Sequence, residues 1–243
     1  MRGRGAVAVA MAALAGGALL VTSVPAGARA PATLRAEYTF DAVDSAVVPD
    51  LTGRGHALTL SGNYALLDGP TSPVVAFAPI SRASTPHVAN LNPVGREFAA
   101  TLVFRVPADI STLTDTPNLA QKGFFNDPGQ WKMQLEPSVA AVQCRFKGTL
   151  GAALITSSVT EVDDGLWHTA TCWRSKTQLG VTVDGVDLAL SRTVGDIANH
   201  RPMLIGAKSL VSSTDQFTGE IDYASLAMGD GSAAMSLQAL TAP

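Results

Sequence analysis

Most of the side chains that catalysis and nucleic-acid binding depend on are scarce in this chain. The four histidines, His56, His87, His168 and His200, show no H-x-x-x-H spacing and no cysteine cluster stands beside them, which excludes an ordinary zinc site. There is no G-x-S-x-G elbow to expose a serine nucleophile and no glycine-rich phosphate loop; Gly53-Arg54-Gly55 reads as a turn. Basic residues are outnumbered, 17 Lys and Arg against 20 Asp and Glu, so the footprint that nucleic acid or an anionic membrane requires is missing. Aromatic residues make up 6% of the chain, which leaves few rings to stack on sugars. Helical periodicity is almost absent; residues 232–240 are the one short stretch expected to be helical. No linker, charge block or repeat divides the sequence, so a single folded domain is expected.

What is present begins with an export signal. Arg2 and Arg4 precede an apolar run from Ala6 to Val24, Pro25 breaks it, and Ala28-Arg29-Ala30 has the small-x-small form of a cleavage site. Residues 1–30 are therefore expected to be a signal peptide cut after Ala30, with Ala28 as the second choice and an uncleaved anchor as the competing reading. Removal takes away three basic residues and no acid, moving the net charge from −3 to −6 (14 basic against 20 acidic). The expected layout is a signal peptide at 1–30, a β-sandwich at 31–231 and a tail at 232–243, in a secreted protein. The two cysteines, Cys144 and Cys172, both lie in strand-like flanks. In an oxidising compartment they are expected to be bonded, closing a loop of about 29 residues worth roughly 3 kcal/mol.

The dominant period is two, as in half-buried strands. Phe98, Ala100, Leu102, Phe104 and Val106 alternate with wetter neighbours. So do Trp131, Met133 and Leu135 against Gln130, Lys132, Gln134 and Glu136, and Val142, Cys144 and Phe146 against Gln143, Arg145 and Lys147. Leu179, Val181 and Val183 continue the pattern into Asp184-Gly185, a hairpin signal because a type I′ turn needs positive φ at both central residues. Further strands are expected at 34–40, 56–60, 74–78, 153–157, 203–207 and 217–228. On the strand that starts at Trp167, His168, Ala170 and Cys172 share the inward face. Many short strands between Gly, Pro, Asn and Asp turns predict an all-β, two-sheet antiparallel sandwich whose chain ends pair with each other.

Six motifs in order resemble a known family. They are Tyr38-Thr39-Phe40-Asp41, the stretch from Asp50 to His56, Phe98 to Phe104, Asp164-Gly165-Leu166-Trp167-His168, Val181 to Gly185, and Phe217 to Tyr223. Together they are similar to laminin G-like domains of the concanavalin A-like lectin/glucanase superfamily, and Gln121-Lys122-Gly123 with Gly129 to Gln134 resembles exported bacterial members. The resemblance covers about residues 34–229 and implies a jelly-roll sandwich. It implies no single function, because that fold serves glycan binders, adhesion modules and glycosidases.

The resemblance also frames the candidate sites. Laminarinase-type relatives carry Glu-x-Asp-x-x-Glu on one strand. Here Glu220-Ile221-Asp222 begins that way, but Ser225 stands where the second carboxylate of a glycosidase belongs. In calcium-bearing relatives an Asp of the last strand helps hold a structural ion, so Asp41 and Asp222 are the expected ligands of one calcium, completed by carbonyl groups and water. The segment Phe124, Phe125, Asn126 and Asp127 is the expected ligand-binding rim, since loops on a rigid scaffold carry binding; the two rings could instead plug the end of the sandwich. Trp131 and Trp167 are expected to be structural, and Trp173 and Tyr64 to be ring platforms. The reading is a secreted, non-catalytic module that binds a glycan or an extracellular protein. A carbohydrate-active enzyme with an unrecognised site and a structural cell-surface protein are the alternatives.

Overall fold

A computed structural model describes residues 33–229 apart from 71, 107–109, 111–114, 160 and 212–213. The expected signal peptide, the tail at 232–243 and the helix at 232–240 therefore lie outside the described residues. Sixteen strands follow one another: β1 (Thr33–Tyr38), β2 (Val47–Val48), β3 (Leu58–Ser61), β4 (Tyr64–Asp68), β5 (Pro73–Phe77), β6 (Arg82–Thr85), β7 (Phe98–Arg105) and β8 (Asn118–Lys122). The second half comprises β9 (Gln130–Glu136), β10 (Ala141–Gly148), β11 (Gly151–Thr156), β12 (Trp167–Arg174), β13 (Leu179–Val183), β14 (Val186–Leu190), β15 (Met203–Ile205) and β16 (Gly219–Met228). Short 3₁₀ turns occur at Ala89–Leu91 and Pro137–Val139. No described helix is long and apolar enough to cross a membrane.

The strands form two antiparallel sheets. Sheet 1 runs β14-β13-β12-β7-β16-β5-β4, and β1 also pairs with β16. Sheet 2 runs β11-β10-β9-β8-β15-β6-β3-β2. β16 comes last in the chain but sits mid-sheet, with β7 on one side and β5 and then β1 along the other. The two ends of the described chain are thus tied together, as the sequence pattern predicts.

Alternation sorts side chains between the core and the outer faces. From sheet 1, Phe98, Leu102, Phe104 and Ile221 point inward; from sheet 2, Trp131, Met133, Val142 and Phe146 meet them. Phe98 packs 6.3 Å from Trp131 and 6.0 Å from Phe146, centroid to centroid. Cys144 of sheet 2 and Cys172 of sheet 1 form a disulfide through this core, with Cα atoms 5.6 Å apart. The β13–β14 hairpin turns at Asp184 and Gly185 with φ of 49° and 80°, the signs a type I′ turn requires. Asp184 also accepts hydrogen bonds from Thr169 N–H and pairs with His168 Nδ1 at 2.8 Å, while Asp164 lies 3.1 Å from His168 Nε2. His168 is therefore a buried strand residue held between two carboxylates, as the inward face of β12 predicts.

Candidate functional site

The outer face of sheet 2 carries the site. β8, β9 and β10 send their apolar residues into the core, so the alternate positions face out: Gln121 on β8, Gln130, Lys132 and Gln134 on β9, and Gln143 and Arg145 on β10. These side chains floor a groove of about 330 Å³, near the lower end of the small-molecule range. Phe124 and Phe125 stand at one end, Thr116, Lys208 and Asp215 along one side, and Leu154 of β11 at the other side.

The register sets these polar side chains in cross-strand pairs. Lys132 is directly opposite both Gln121 and Arg145, and Gln134 is directly opposite Gln143. Gln134 Nε2 donates to Gln143 Oε1 at 2.6 Å, and Gln143 Nε2 donates to Thr156 Oγ1 at 2.9 Å. Gln121 Nε2 donates to the Lys208 carbonyl at 2.5 Å. Gln130 accepts from Arg145 Nη1 and donates to the Gly123 carbonyl. The amides are thereby locked in orientation, and the Gln121 and Gln134 carbonyl oxygens receive no donor from the described residues, so they remain available to hydroxyls in the groove.

Charge in the groove is uneven. Asp215 takes Lys208 Nζ at 2.9 Å and Lys132 Nζ at 3.6 Å, so one carboxylate serves two ammonium groups. Burial pushes the Lys132 ammonium down to about 8, against the opposing pull of Asp215. Burial also lowers Arg145, whose guanidinium lies 4.3 Å from the Phe125 ring centroid.

The expected rim divides in two. Phe124 and Phe125 border the groove, and Phe125 is 66% exposed, so it stands at the mouth and does not plug the sandwich. Asn126 is exposed and does not line the groove. Asp127 holds the loop: its carboxylate accepts Phe124 N–H at 2.7 Å and Arg201 Nε at 3.0 Å. Burial works against the Asp127 carboxylate, but the bonds from Arg201 and Phe124 hold it below its ordinary range. Arg201 in turn lies 4.6 Å from the Phe124 ring centroid. Gly123 permits this exit from β8, at φ +94° and with no room for a Cβ, which would lie 2.3 Å from the Gly129 carbonyl oxygen. Beneath the loop, fully buried Lys122 donates to the Arg201 carbonyl at 2.9 Å and to Asn199 Oδ1 at 3.2 Å, and its Nζ lies 3.2 Å from His87 Nδ1.

One expected ring platform, Trp173, is corrected. Trp173 is buried, lying across Gly180 with its indole N–H donating to Thr182 Oγ1 at 3.1 Å, so its face is covered by its own sheet. Tyr64 is half-buried against the core fringe. Trp131 is a core residue, and Trp167 lies 5.3 Å from the Arg105 guanidinium on the outer face of sheet 1.

Glu220 and Asp222 belong to sheet 1, away from the groove. Arg105, opposite Glu220 in register, clamps that carboxylate through Nε at 3.0 Å and Nη2 at 2.7 Å. Asp222 sits at a bulge of β16 and accepts from Ser72 Oγ at 3.3 Å. Burial raises its carboxyl, and the charge of exposed Asp41 raises it further. No described group of three or more His, Cys, Asp or Glu is arranged to hold a metal, so any ion here would draw its other oxygens from hydroxyls, carbonyls or water.

Residues 124–227 match the family model described as laminin G domain. No curated protein matches the chain. Among solved structures, the binding domain of Paraclostridial Mosquitocidal Protein 1 is similar at TM-score 0.66 and 17% identity, over 85% of this chain and 50% of that one. Domain 4 of AbnA, an extracellular arabinanase from Geobacillus stearothermophilus solved in complex with arabinotriose, is similar at TM-score 0.61 and 16% identity, over 87% of this chain and 98% of that one. The receptor binding domain of botulinum neurotoxin D follows at 0.60 and 8%, over 85% and 51%. The chain spans about half the length of the two toxin domains and nearly all of the arabinanase domain. With residues 124–227 matching the family by sequence, the described chain has a laminin G-like fold of the concanavalin A-like kind.

Proposed function

We propose that this protein is a secreted, non-catalytic module that binds a glycan, and that the groove on the outer face of sheet 2 is its binding site. The carrying observation is the groove itself: amides fixed in orientation, with acceptors left open and an exposed ring at the mouth. Sugars need this combination, since hydroxyls take amide hydrogen bonds while a ring face stacks on the apolar face of the sugar. A concave polar site favours a sugar over the extracellular protein partner that the sequence left open, for which a flat apolar patch would be the better match. Glycosidases use two carboxylates across one cleft. Asp215 is the one carboxylate among the described lining residues; it is held by two lysines, and neighbouring Asp115 accepts the Asp215 N–H from outside the groove. The arabinotriose complex of the similar arabinanase domain, which this chain matches over nearly its full length, supports the same reading.

Separately, we propose that Asp41 and Asp222 hold one structural calcium near the junction of β1 and β16.

The test of the glycan reading is an array of neutral, uronate-bearing and sulfated glycans probed with the full chain and with Gln134→Ala/Gln143→Ala. A glycan class bound by the wild type and weakened at least tenfold in the variant is the expected result. Absence of binding across the array, or binding indifferent to the double substitution, overturns it.

A further inference from the structure

The row across the middle of the groove floor is positively charged with too little acid to balance it. Lys132 and Arg145 are cross-strand partners, and like charges directly opposite each other on one face oppose sheet formation. Ordinary surface sheets relieve such a pair with an adjacent carboxylate. Here the acid beside Lys132 is Asp215, which is nearer to Lys208. Arg145 contacts no carboxylate among the described residues. Its Nη1 donates to the neutral amide oxygen of Gln130, its face lies on Phe125, and Nε and Nη2 donate to no described acceptor. The other acids around the groove are engaged elsewhere: Asp115 accepts the Asp215 N–H, Asp127 accepts from Phe124 N–H and Arg201, and Glu136 accepts from Gln143 and Ser138 at the end of β9. A chain of net charge −3 thus keeps two apposed cations on the floor of a concave polar groove.

We propose that the groove is selective for an acidic glycan: one anionic substituent of the sugar, a carboxylate or a sulfate, seats between Lys132 and Arg145, and the glutamines bind the neutral hydroxyls beside it. The proposal rests on the reading of the groove as the glycan site and adds the chemical class of ligand. The anion supplies the missing counter-charge, accepting from the Lys132 ammonium on one strand and from the open edge of the Arg145 guanidinium on the next. Gln121, opposite Lys132 on β8, and Gln134, two residues along β9, neighbour that point and offer carbonyl oxygens, which suit hydroxyl groups and repel a second anion. Selectivity would therefore be for a spaced charge on a hydroxyl-rich chain, not for a densely charged polymer.

Titration calorimetry of the full chain against an oligogalacturonate, its fully methyl-esterified form and a sulfated oligosaccharide tests this. The free acid or the sulfated chain should bind at least tenfold more tightly than the neutral ester, and whichever does identifies the source of the anion. Lys132→Gln and Arg145→Gln should each reduce that preference to below threefold, by weakening the anionic chain more than the ester. Gln134→Ala should weaken acid and ester alike. An ester that binds as well as the acid, and is weakened by Gln134→Ala, sinks the anion proposal and leaves the glycan groove standing. Binding of no arm, or binding that none of the three substitutions alters, removes both. Thermal melts of each variant confirm that the fold is retained.

Discussion

The two sheets present outer faces of similar polarity but different charge balance. On sheet 1, several polar groups pair within the sheet, Arg105 with Glu220, Thr101 with Thr171 at 2.9 Å, Trp173 with Thr182, and Tyr223 with Glu37 at 2.9 Å, although the Trp167 indole N–H and Arg35 Nε have no hydrogen-bond partner among the described residues. On sheet 2, two apposed cations, open amide oxygens and an exposed ring surround a cavity. A satisfied polar face acts as a wall, because water or a ligand can offer it little that it lacks. An under-satisfied one costs stability and gains it back only from something bound.

The largest effect should come from separating the faces. The Cys144–Cys172 bond joins β10, a groove strand, to β12, a wall strand. Replacing both cysteines with alanine should lower unfolding stability by roughly 3 kcal/mol in urea melts. A loss well under 1 kcal/mol would mean that the sheets are held by packing alone.

The second test asks whether the groove is costly. The Lys132 ammonium titrates at about 8 in the folded protein against 10.5 for an unperturbed lysine. Between those values the unfolded chain holds more protons than the folded one, so this residue makes wild-type stability rise as pH climbs through the window. Lys132→Met deletes that rise without orphaning Asp215, which keeps Lys208. The wild type should therefore gain about 2 kcal/mol on the variant between pH 8 and pH 10.5, and the variant should be the more stable protein near neutrality. A gap that does not change with pH would erase the distinction between the faces.

The smallest effect concerns the exception on sheet 1. Asp222 has burial and the Asp41 charge raising it and a single hydroxyl bond to offset them. If these acids take calcium, the ion at about ten times its Kd should add about 1.4 kcal/mol, raising the melting temperature, and Asp222→Asn should abolish the response. A melting temperature indifferent to calcium and chelator leaves them as rim residues.

Much of this architecture was legible in period-two alternation, including the strands that line the core and the Asp184-Gly185 hairpin. β2, β4, β6 and β8 were not. β2 is two residues long, β6 reads Arg82-Ala83-Ser84-Thr85 with little apolar signal, and in β8 Asn118, Gln121 and Lys122 are buried together with Leu119 and Ala120, so the alternation vanishes. The site was half visible. Gln130, Lys132, Gln134, Gln143 and Arg145 can be read as outward positions of their strands, but which faces which is fixed by inter-strand register, which no local pattern encodes. Lys208 and Asp215 arrive from the connection between β15 and β16 and carry no motif at all. Phe124 and Phe125 are conspicuous as a pair, yet only the fold shows the ring of Phe125 standing over Arg145.

Lys122 and Gln121 are consecutive on β8 and point to opposite sides of sheet 2, one into the sandwich and one into the groove. The ammonium of Lys122 grips the Arg201 carbonyl, the Arg201 guanidinium grips Asp127, and Asp127 grips the backbone of Phe124. Floor and lip are thus parts of one braced frame, anchored from the interior. The entropy of holding the lip still is lost when the chain folds, so an incoming sugar would meet a mouth already set, and its affinity would not be reduced by having to order one.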